Sequence, residues 1–428
     1  MRKVILRDHG RIFPFNEEAR DLRVLNKKLY VHQGDVLDSV LAPEHVTEVR
    51  EVDSLADLDD SEIETIAYRD NLFFDKPFLS EFIERARRSG QACRVALSPD
   101  DKAVAKHALP LQRGIRREGD LYVADLWYFP HGLESGARHV VVDSEAHEMG
   151  YYHVPTHMSN AMGDLVYYVP TKAFCSIEHW VHTVTANVIF GVYAEGARLD
   201  REIEHSVGKN LRILWRALLE RRQVLECSEV VQVGRNCSID PSVTIRGPTV
   251  IGDNVSIGPG AVIDVSYIGD NVDIGTGGQV MLSVVSDRCF LPFRASVFMS
   301  VMMANSMVAQ NTCLQFCSVG RNTFIGAGNT FTDFNLVPGK PIRAMNRGQL
   351  EETGMPVLGG CVGHNCFIGS GMVIYPARAI ESDVVLLASS ERHVIDGTVT
   401  YGDSDHFAIA GADGRSRRYP REDQEPRS

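Results

Sequence analysis

Between positions 233 and 380 an aliphatic residue keeps returning every six positions, beginning with Val233, Ile239, Ile245, Ile251, Ile257 and Ile263. The stretch contains VGRNCSIDPSVTI, TVIGDNVSIGPGAVI, YIGDNVDIG, VGRNTFIGAGNTF and VGHNCFIGSGMVI. A period of six fits neither the face of an α-helix nor a strand alternating at two. It predicts a chain that coils in short flat strands, each face of the coil sending one aliphatic side chain inward. A single coil leaves its ends open, so neighbouring coils must stack to bury one continuous core. Gly and Asn recur at the corners, where positive φ is required.

The rest of the chain is long enough for at least one more domain, since the whole has 428 residues. Residues 1–170 alternate short apolar runs with helical patterns, which argues for an α/β domain with a parallel-rich sheet. Strands are expected near 4–6, 93–98, 120–129 and 139–143, with a helix over 76–89. Residues 171–229 form a helical linker region expected to pack between that sheet and the coil. The coil occupies 230–390, and the charged tail 391–428 is expected to be disordered.

Two interruptions stand out inside the coil. The period fades between 280 and 310, where LPFRASVFMSVMMANSMVAQNT is rich in Met and Phe. This stretch is read as degenerate coils in the core of a homo-oligomer; the alternative is a Met-rich binding surface. Residues 333–360 form a loop carrying Lys340, Arg343, Arg347 and Thr353, a size associated with ligand binding or subunit contact.

A formal charge of −12, with no sustained basic stretch, speaks against broad nucleic-acid or anionic-membrane binding. No apolar run approaches the roughly 20 residues of a membrane span. The opening MRKVILRDHGR breaks its apolar run too early for a signal peptide. The nine cysteines lack zinc-site spacing, so reduced thiols and a cytoplasmic location are expected.

An α/β half followed by hexapeptide repeats resembles the bifunctional N-acetylglucosamine-1-phosphate uridyltransferase / glucosamine-1-phosphate acetyltransferase family. The resemblance is clearest over 233–380, and VGRNTFIGAGNTFTDF is its sharpest part. The Glu352-Thr353-Gly354 turn in the following segment also resembles the family. It implies a nucleotidyltransferase-like α/β domain, then an all-β left-handed parallel β-helix, assembled as a homotrimer. Its implied ligands are a sugar phosphate or nucleotide sugar, with Mg²⁺ in the first half and acetyl-CoA as acyl donor in the second.

The resemblance carries roles onto particular residues. Ala327, Gly328 and Asn329 would lie beside an acyl or pantetheine pocket, their backbone N–H groups orienting a thioester carbonyl. The alternative is a tight β-helix corner. In the opening HGRIFPF, Gly10, Arg11 and Pro14 match the family's phosphate loop, and Lys27 in NKKL matches a later substrate-binding stretch. Asp70 in YRDN matches the Mg²⁺-holding Asp, with a helix N-cap as its alternative.

The family's catalytic histidine falls on Gln310, which cannot accept a proton near neutral pH, and Asp333 replaces a family Asn. His364, the one histidine in the repeats, is read as a solvated corner residue. The alternative makes it, or Asp333, a recruited base. A single histidine also excludes the three-His zinc site of a carbonic-anhydrase-like β-helix. His147, His153 and His157 share no common face, and a metal site there is not expected. His179 and His182 are read as packing residues on a helix.

Three functions follow. One is a transferase of nucleotide-sugar metabolism, acting as a sugar-1-phosphate nucleotidyltransferase, an acyl-CoA-dependent sugar acyltransferase, or both. The second is a non-catalytic trimeric scaffold or regulator that binds a sugar nucleotide. The third is an acyltransferase of altered specificity with a different base.

Overall fold

The computed structural model describes residues 1–41, 46–58, 62–134, 136–152, 165–337, 340–410 and 416–421. His153 and His157 lie outside them. The N-terminal sheet runs Arg138–Val141, Cys93–Leu97, Leu121–Phe129, Thr65–Arg69, Arg2–Leu6, Glu48–Val52, with Arg116–Glu118 hydrogen-bonded to Leu121–Phe129. Arg2–Leu6 pairs in parallel with both Thr65–Arg69 and Glu48–Val52, while Leu121–Phe129 runs antiparallel to its neighbours. Ile66 and Tyr68 point into a core shared with the helices Leu29–Leu41 and Lys76–Ser89, and Ala67 points to the opposite face beside Val4 and Phe129.

Lys76–Ser89 illustrates the local logic. Asp75 caps it by accepting from the Phe78 N–H, Pro77 sits in the first turn, and Gly90 closes it at φ +63°. Phe78, Leu79, Phe82, Ile83 and Ala86 then fall on one buried face.

Residues 231–395 form three eight-stranded parallel sheets, one for each face of the coil. Coil length is the reason the period fades. Ile239 pairs with Ile257, 18 residues on, but Ile257 pairs with Ile274 and Ile274 with Leu291, each 17 residues on. The coil therefore continues without a break through 280–310, where Leu291, Val297, Met302 and Val308 are fully buried inward residues. A corner residue repeats with them: Asn236, Asn254, Asn271, Arg288, Asn305, Asn322, Asn365 and Asp383 all have φ between +55° and +69°.

The Met-rich stretch is occupied within the chain itself. Met299, Val301, Met303 and Phe316 face outward from the coil and are buried in the same apolar cluster as the N-terminal core. An oligomer core is not needed to explain them. Between the two domains lies the segment 179–192, buried at every position, so its polar side chains must find partners inside the protein. Its Asn187 is satisfied by accepting from the Leu25 N–H at 2.7 Å and donating to the carbonyls of Thr183 and Arg23 at 2.8 and 3.1 Å.

The insertion at 333–360 projects a hairpin, Arg343–Asn346 with Gln349–Glu352, onto the N-terminal half. Asn346 Nδ2 donates to the Leu111 carbonyl at 3.3 Å, and Tyr167 donates to the Val357 carbonyl at 3.0 Å. Gly354 is required there: at φ +71°, a Cβ would stand 2.2 Å from the Lys106 carbonyl oxygen.

The tail departs from expectation. Val394–Ile395 continues the third sheet in register with Val373–Ile374, and His406–Ala410 is helical. Ile395 and Val399 bury at the end of the coil, which ties down a segment whose charge suggested disorder. Residues 416–421 dock as well, through contacts given below. All nine cysteines are free thiols. Among the described residues no helix is long and apolar enough to cross a membrane.

Ile274→Ala should lower stability by about 2–5 kcal/mol through the cavity it leaves, read as a fall in the denaturation midpoint of the β-helix. Val233→Ala, at a position 46% exposed, should stay within about 0.5 kcal/mol. Val233 stands in the same inward column but at its open end, so equal effects would contradict burial as the source of the loss.

Candidate functional site

Because Arg2–Leu6, Thr65–Arg69 and Glu48–Val52 are parallel neighbours, the loops leaving their C-terminal ends meet at one edge of the sheet. Open α/β sheets bind ligands at this edge. Here it carries a charged cluster. Asp70, 1% exposed, accepts from the Asp8 N–H at 2.8 Å through Oδ1 and ion-pairs through Oδ2 with Arg7 at 2.9 Å and Arg20 at 3.3 Å. Glu51 also pairs with both guanidiniums, at 3.1 Å from Arg7 and 3.0 Å from Arg20.

Burial pushes the Asp70 carboxyl up to about 6, against the pull of the Asp8 N–H and the two arginines. Both of its oxygens are committed, and two guanidiniums stand where a divalent cation would have to approach. The Mg²⁺ role expected of Asp70 does not fit this arrangement. Among the described residues no group of three or more His, Cys, Asp or Glu side chains is arranged to hold a metal.

Asp8, whose N–H Asp70 holds, also lines a cleft of about 670 Å³. Its walls come from four places in the chain: residues 8–16, 177–179, the hairpin turn 345–348, and 398–400 with Arg421. Arg11, Arg347 and Arg421 all line it. Arg11 is exposed on the short strand Arg11–Ile12 and donates to the Pro420 carbonyl at 3.1 Å. Arg347 sits at the hairpin turn with φ +48°, 3.4 Å from Glu178. Glu178 is itself fixed by the N–H groups of Arg113 and Gly114 and by the Ser176 hydroxyl, at 2.9, 2.7 and 2.8 Å.

Two buried histidines hold this wall in place. His182 Nδ1 accepts from the N–H groups of Glu178 and His179, so its Nε2–H faces the Pro110 carbonyl at 2.8 Å. His179 Nδ1 accepts from the Val181 N–H, and its Nε2 lies 3.1 Å from the Met345 carbonyl, tying the hairpin down. Burial drives His179 down to about 3 and lowers His182 too, so both are neutral near pH 7. They are positioning residues, in keeping with the packing role expected of them.

Of the residues singled out in the sequence, Arg11 lines the cleft and Asp70 is linked to it through the Asp8 N–H. Lys27 does neither. It is 54% exposed, pairs with Asp35, and lines a separate groove with His32, Val36 and Tyr267.

The corner at 327–329 is fully used by the coil. The N–H groups of Ala327, Gly328 and Asn329 donate to Ser370 Oγ, the Gln310 carbonyl and Thr312 Oγ1 at 3.1, 3.1 and 3.2 Å. Asn329 is 1% exposed; its Nδ2 donates to the carbonyls of Gly326 and Gly369, and its Oδ1 accepts from the Met372 N–H. The oxyanion arrangement expected there is not formed, because no N–H of the three remains to make it.

His364 also departs from expectation: it is wholly buried, not solvated. Its Nδ1 accepts from the Arg321 N–H at 2.9 Å, its Nε2 lies 3.2 Å from Glu17, and its ring stacks on Phe15. Burial and the Arg321 charge hold its pKa well below the ordinary histidine value. It is an element of the domain interface, without access to a substrate in solvent.

Sequence reading missed Asp8, Arg421 and the role of Asn16 at this cleft. The charged tail motif GRSRRYPRED was the available signal for Arg421, but it had no partner in sequence. Arg347 was noted in the insertion without a destination.

The sequence model of the family described as "Bacterial transferase hexapeptide (six repeats)" matches residues 231–265, the opening coils. Among solved structures, a hexapeptide transferase family protein from Anaplasma phagocytophilum is 17% identical, covering 37% of this chain and 79% of its own, with a TM-score of 0.15. The polysialic acid O-acetyltransferase OatWY is 18% identical, covering 39% of this chain and 79% of its own, with a TM-score of 0.18.

Asn329→Ala should cost about 3 kcal/mol, since it strands buried carbonyls and an N–H, seen as a lower unfolding midpoint. Full stability with weakened acetyl-CoA binding would instead make the corner a ligand site. A second test concerns Asp70. Because its folded value is raised, the stability it contributes is present in acid and is lost as pH rises from about 4 through about 6. Asp70→Asn should flatten that part of the stability curve measured by urea unfolding, and an unaltered slope would refute the assignment.

Proposed function

We propose that this chain is a transferase-like protein of nucleotide-sugar metabolism, whose sugar phosphate or nucleotide sugar binds in the cleft lined by Arg11, Arg347 and Arg421. The observation that carries this reading is the meeting of three guanidiniums from remote parts of the chain at the C-terminal edge of parallel strands. Guanidiniums suit phosphate oxygens because they are planar, always charged and able to donate in pairs. The family match over 231–265 supports a transferase scaffold.

Of the two transfers open to such a protein, the family match over 231–265 supports acyl transfer, and the guanidiniums of the cleft support sugar-1-phosphate nucleotidyl transfer. An acyl transfer here would use groups other than the 327–329 corner, which is internally bonded, and His364, which is buried. The non-catalytic alternative, a regulator that binds a sugar nucleotide, is favoured by one observation: Asp70 is locked between Arg7 and Arg20. Assembly as a homotrimer belongs to the same proposal. The helix Val207–Glu220 supports self-association by leaving Leu211, Trp215 and Leu218 between 61% and 71% exposed.

Calorimetric titration with UTP/Mg²⁺, UDP-N-acetylglucosamine and acetyl-CoA tests the reading. Saturable binding of a nucleotide ligand is expected, weakened about tenfold or more by Arg11→Ala or Arg347→Ala through loss of a charge-assisted contact. Lys27→Ala should leave it unchanged. Binding of acetyl-CoA alone, or equal nucleotide affinity in the arginine variants, would overturn it.

A further inference from the structure

The cleft's fourth wall is built from the far end of the chain, held there by two carboxylates that the coil itself buries. Glu381 and Asp383 are 1% and 0% exposed. Asp383 accepts from the backbone N–H groups of Arg418 and Tyr419 at 2.8 and 2.7 Å. Glu381 accepts from Arg417 Nη2 at 2.7 Å and from Arg421 Nε and Nη2 at 2.9 and 3.1 Å. On its other side the segment meets the N-terminal loop. Asn16 Nδ2 donates to the Tyr419 carbonyl at 2.9 Å, Arg11 donates to the Pro420 carbonyl, and the Arg421 guanidinium lies 4.7 Å from the centre of the Phe13 ring. The Tyr419 ring packs 4.8 Å from that of His364.

Residues 416–421 are thus clamped between the opening loop and the coil corner at 381–383, and the clamp sets Arg421 into the cleft. Glu381 faces both Arg417 and Arg421, and Arg11 bonds the same segment at the Pro420 carbonyl. The pairing with Glu381 uses the Nε–Nη2 edge of a five-donor guanidinium, which retains further N–H groups for a second anion. Arg421 lines the cleft, so an anion there can accept from those remaining donors.

We infer that residues 416–421 are a built part of the ligand site and that Arg421 binds the phosphate or pyrophosphate group of its ligand. This inference rests on the ligand reading above. It goes further by making the C-terminal segment a requirement for binding, so that the two domains and the end of the chain together form one site.

Inorganic pyrophosphate and UDP-N-acetylglucosamine, titrated calorimetrically into the full-length protein and its Arg421→Ala variant, test it. The variant should raise both Kd values by about tenfold or more, with a shallower salt dependence. Arg421→Gln, which keeps an N–H donor toward Glu381, gives the same reading if the alanine variant does not fold. Kd values within about twofold of the unsubstituted protein's, alongside weakened binding by Arg11→Ala, would overturn the role of Arg421 and leave the cleft reading standing. Binding of neither probe by the unsubstituted protein would overturn both.

Discussion

The inward stack of the coil, Val285 over Met302, Val319, Val362 and Ile380, is the element on which the other contacts are assembled. Parallel pairing of short strands closes the backbone hydrogen bonds, and the aliphatic ladder removes water from the interior. The outer side of this sheet is buried too. Val284, Val301, Ser318, Cys361 and Ala379 lie at 2% exposure or less, and most of them join the cluster that fills the N-terminal domain. The two domains therefore share a core. A cleft whose walls come from both can keep its shape, because relative movement would open apolar surface on each side.

Polar contacts at the same boundary determine which surfaces meet. Ser382 donates to the Pro14 carbonyl at 2.8 Å, Glu17 faces Arg321 and His364, and Asn16 reaches Glu381 at 3.0 Å. Buried charges of this kind add little net stability but cost several kcal/mol when one partner is removed. They select one docking of the N-terminal loop on the coil over its competitors. His364 fits this role only as a neutral ring, accepting through Nδ1 and facing Glu17 through Nε2. The insertion adds a second tie at the hairpin turn, where Met345 and Arg347 meet His179 and Glu178.

The coil was legible because an inward side chain every six residues is a local constraint that the sequence must satisfy. It became illegible where coils shorten to 17 residues and where Met or Leu takes the inward place, though Met302 and Leu291 fill it as completely as Ile. Helix 76–89 was legible from Pro77, Gly90 and its apolar face. The site was harder. Arg11 and Asp70 lie close to one strand-end edge, as their motifs suggested, but Asp70's partners Arg7 and Arg20 carry no signature of the pairing. The corner GAG looks the same in sequence whether its N–H groups face a ligand or, as here, Ser370 and Thr312. Arg421 has no meaning before the fold brings it to Glu381, 40 residues earlier in the chain.

The carboxylates at the strand ends are committed to the protein's own donors. Guanidiniums neutralise phosphate in the ground state and the transition state alike, and only interactions that strengthen in the transition state accelerate transfer. In this molecule the carboxylate best placed by sequence to bring a cation, Asp70, is spent on holding Arg7 and Arg20, and through Asp8 on shaping the loop above it. Asp8 is committed as well, accepting from the Gly10 N–H and from Asn71 Nδ2 at 2.8 and 2.7 Å. The strand ends thus preorganise a cationic cleft with its carboxylates turned to internal bonds. On the proposed function, a phosphorylated ligand would meet guanidiniums there, and rate enhancement would come from positioning its reacting groups between the hairpin turn and the C-terminal wall.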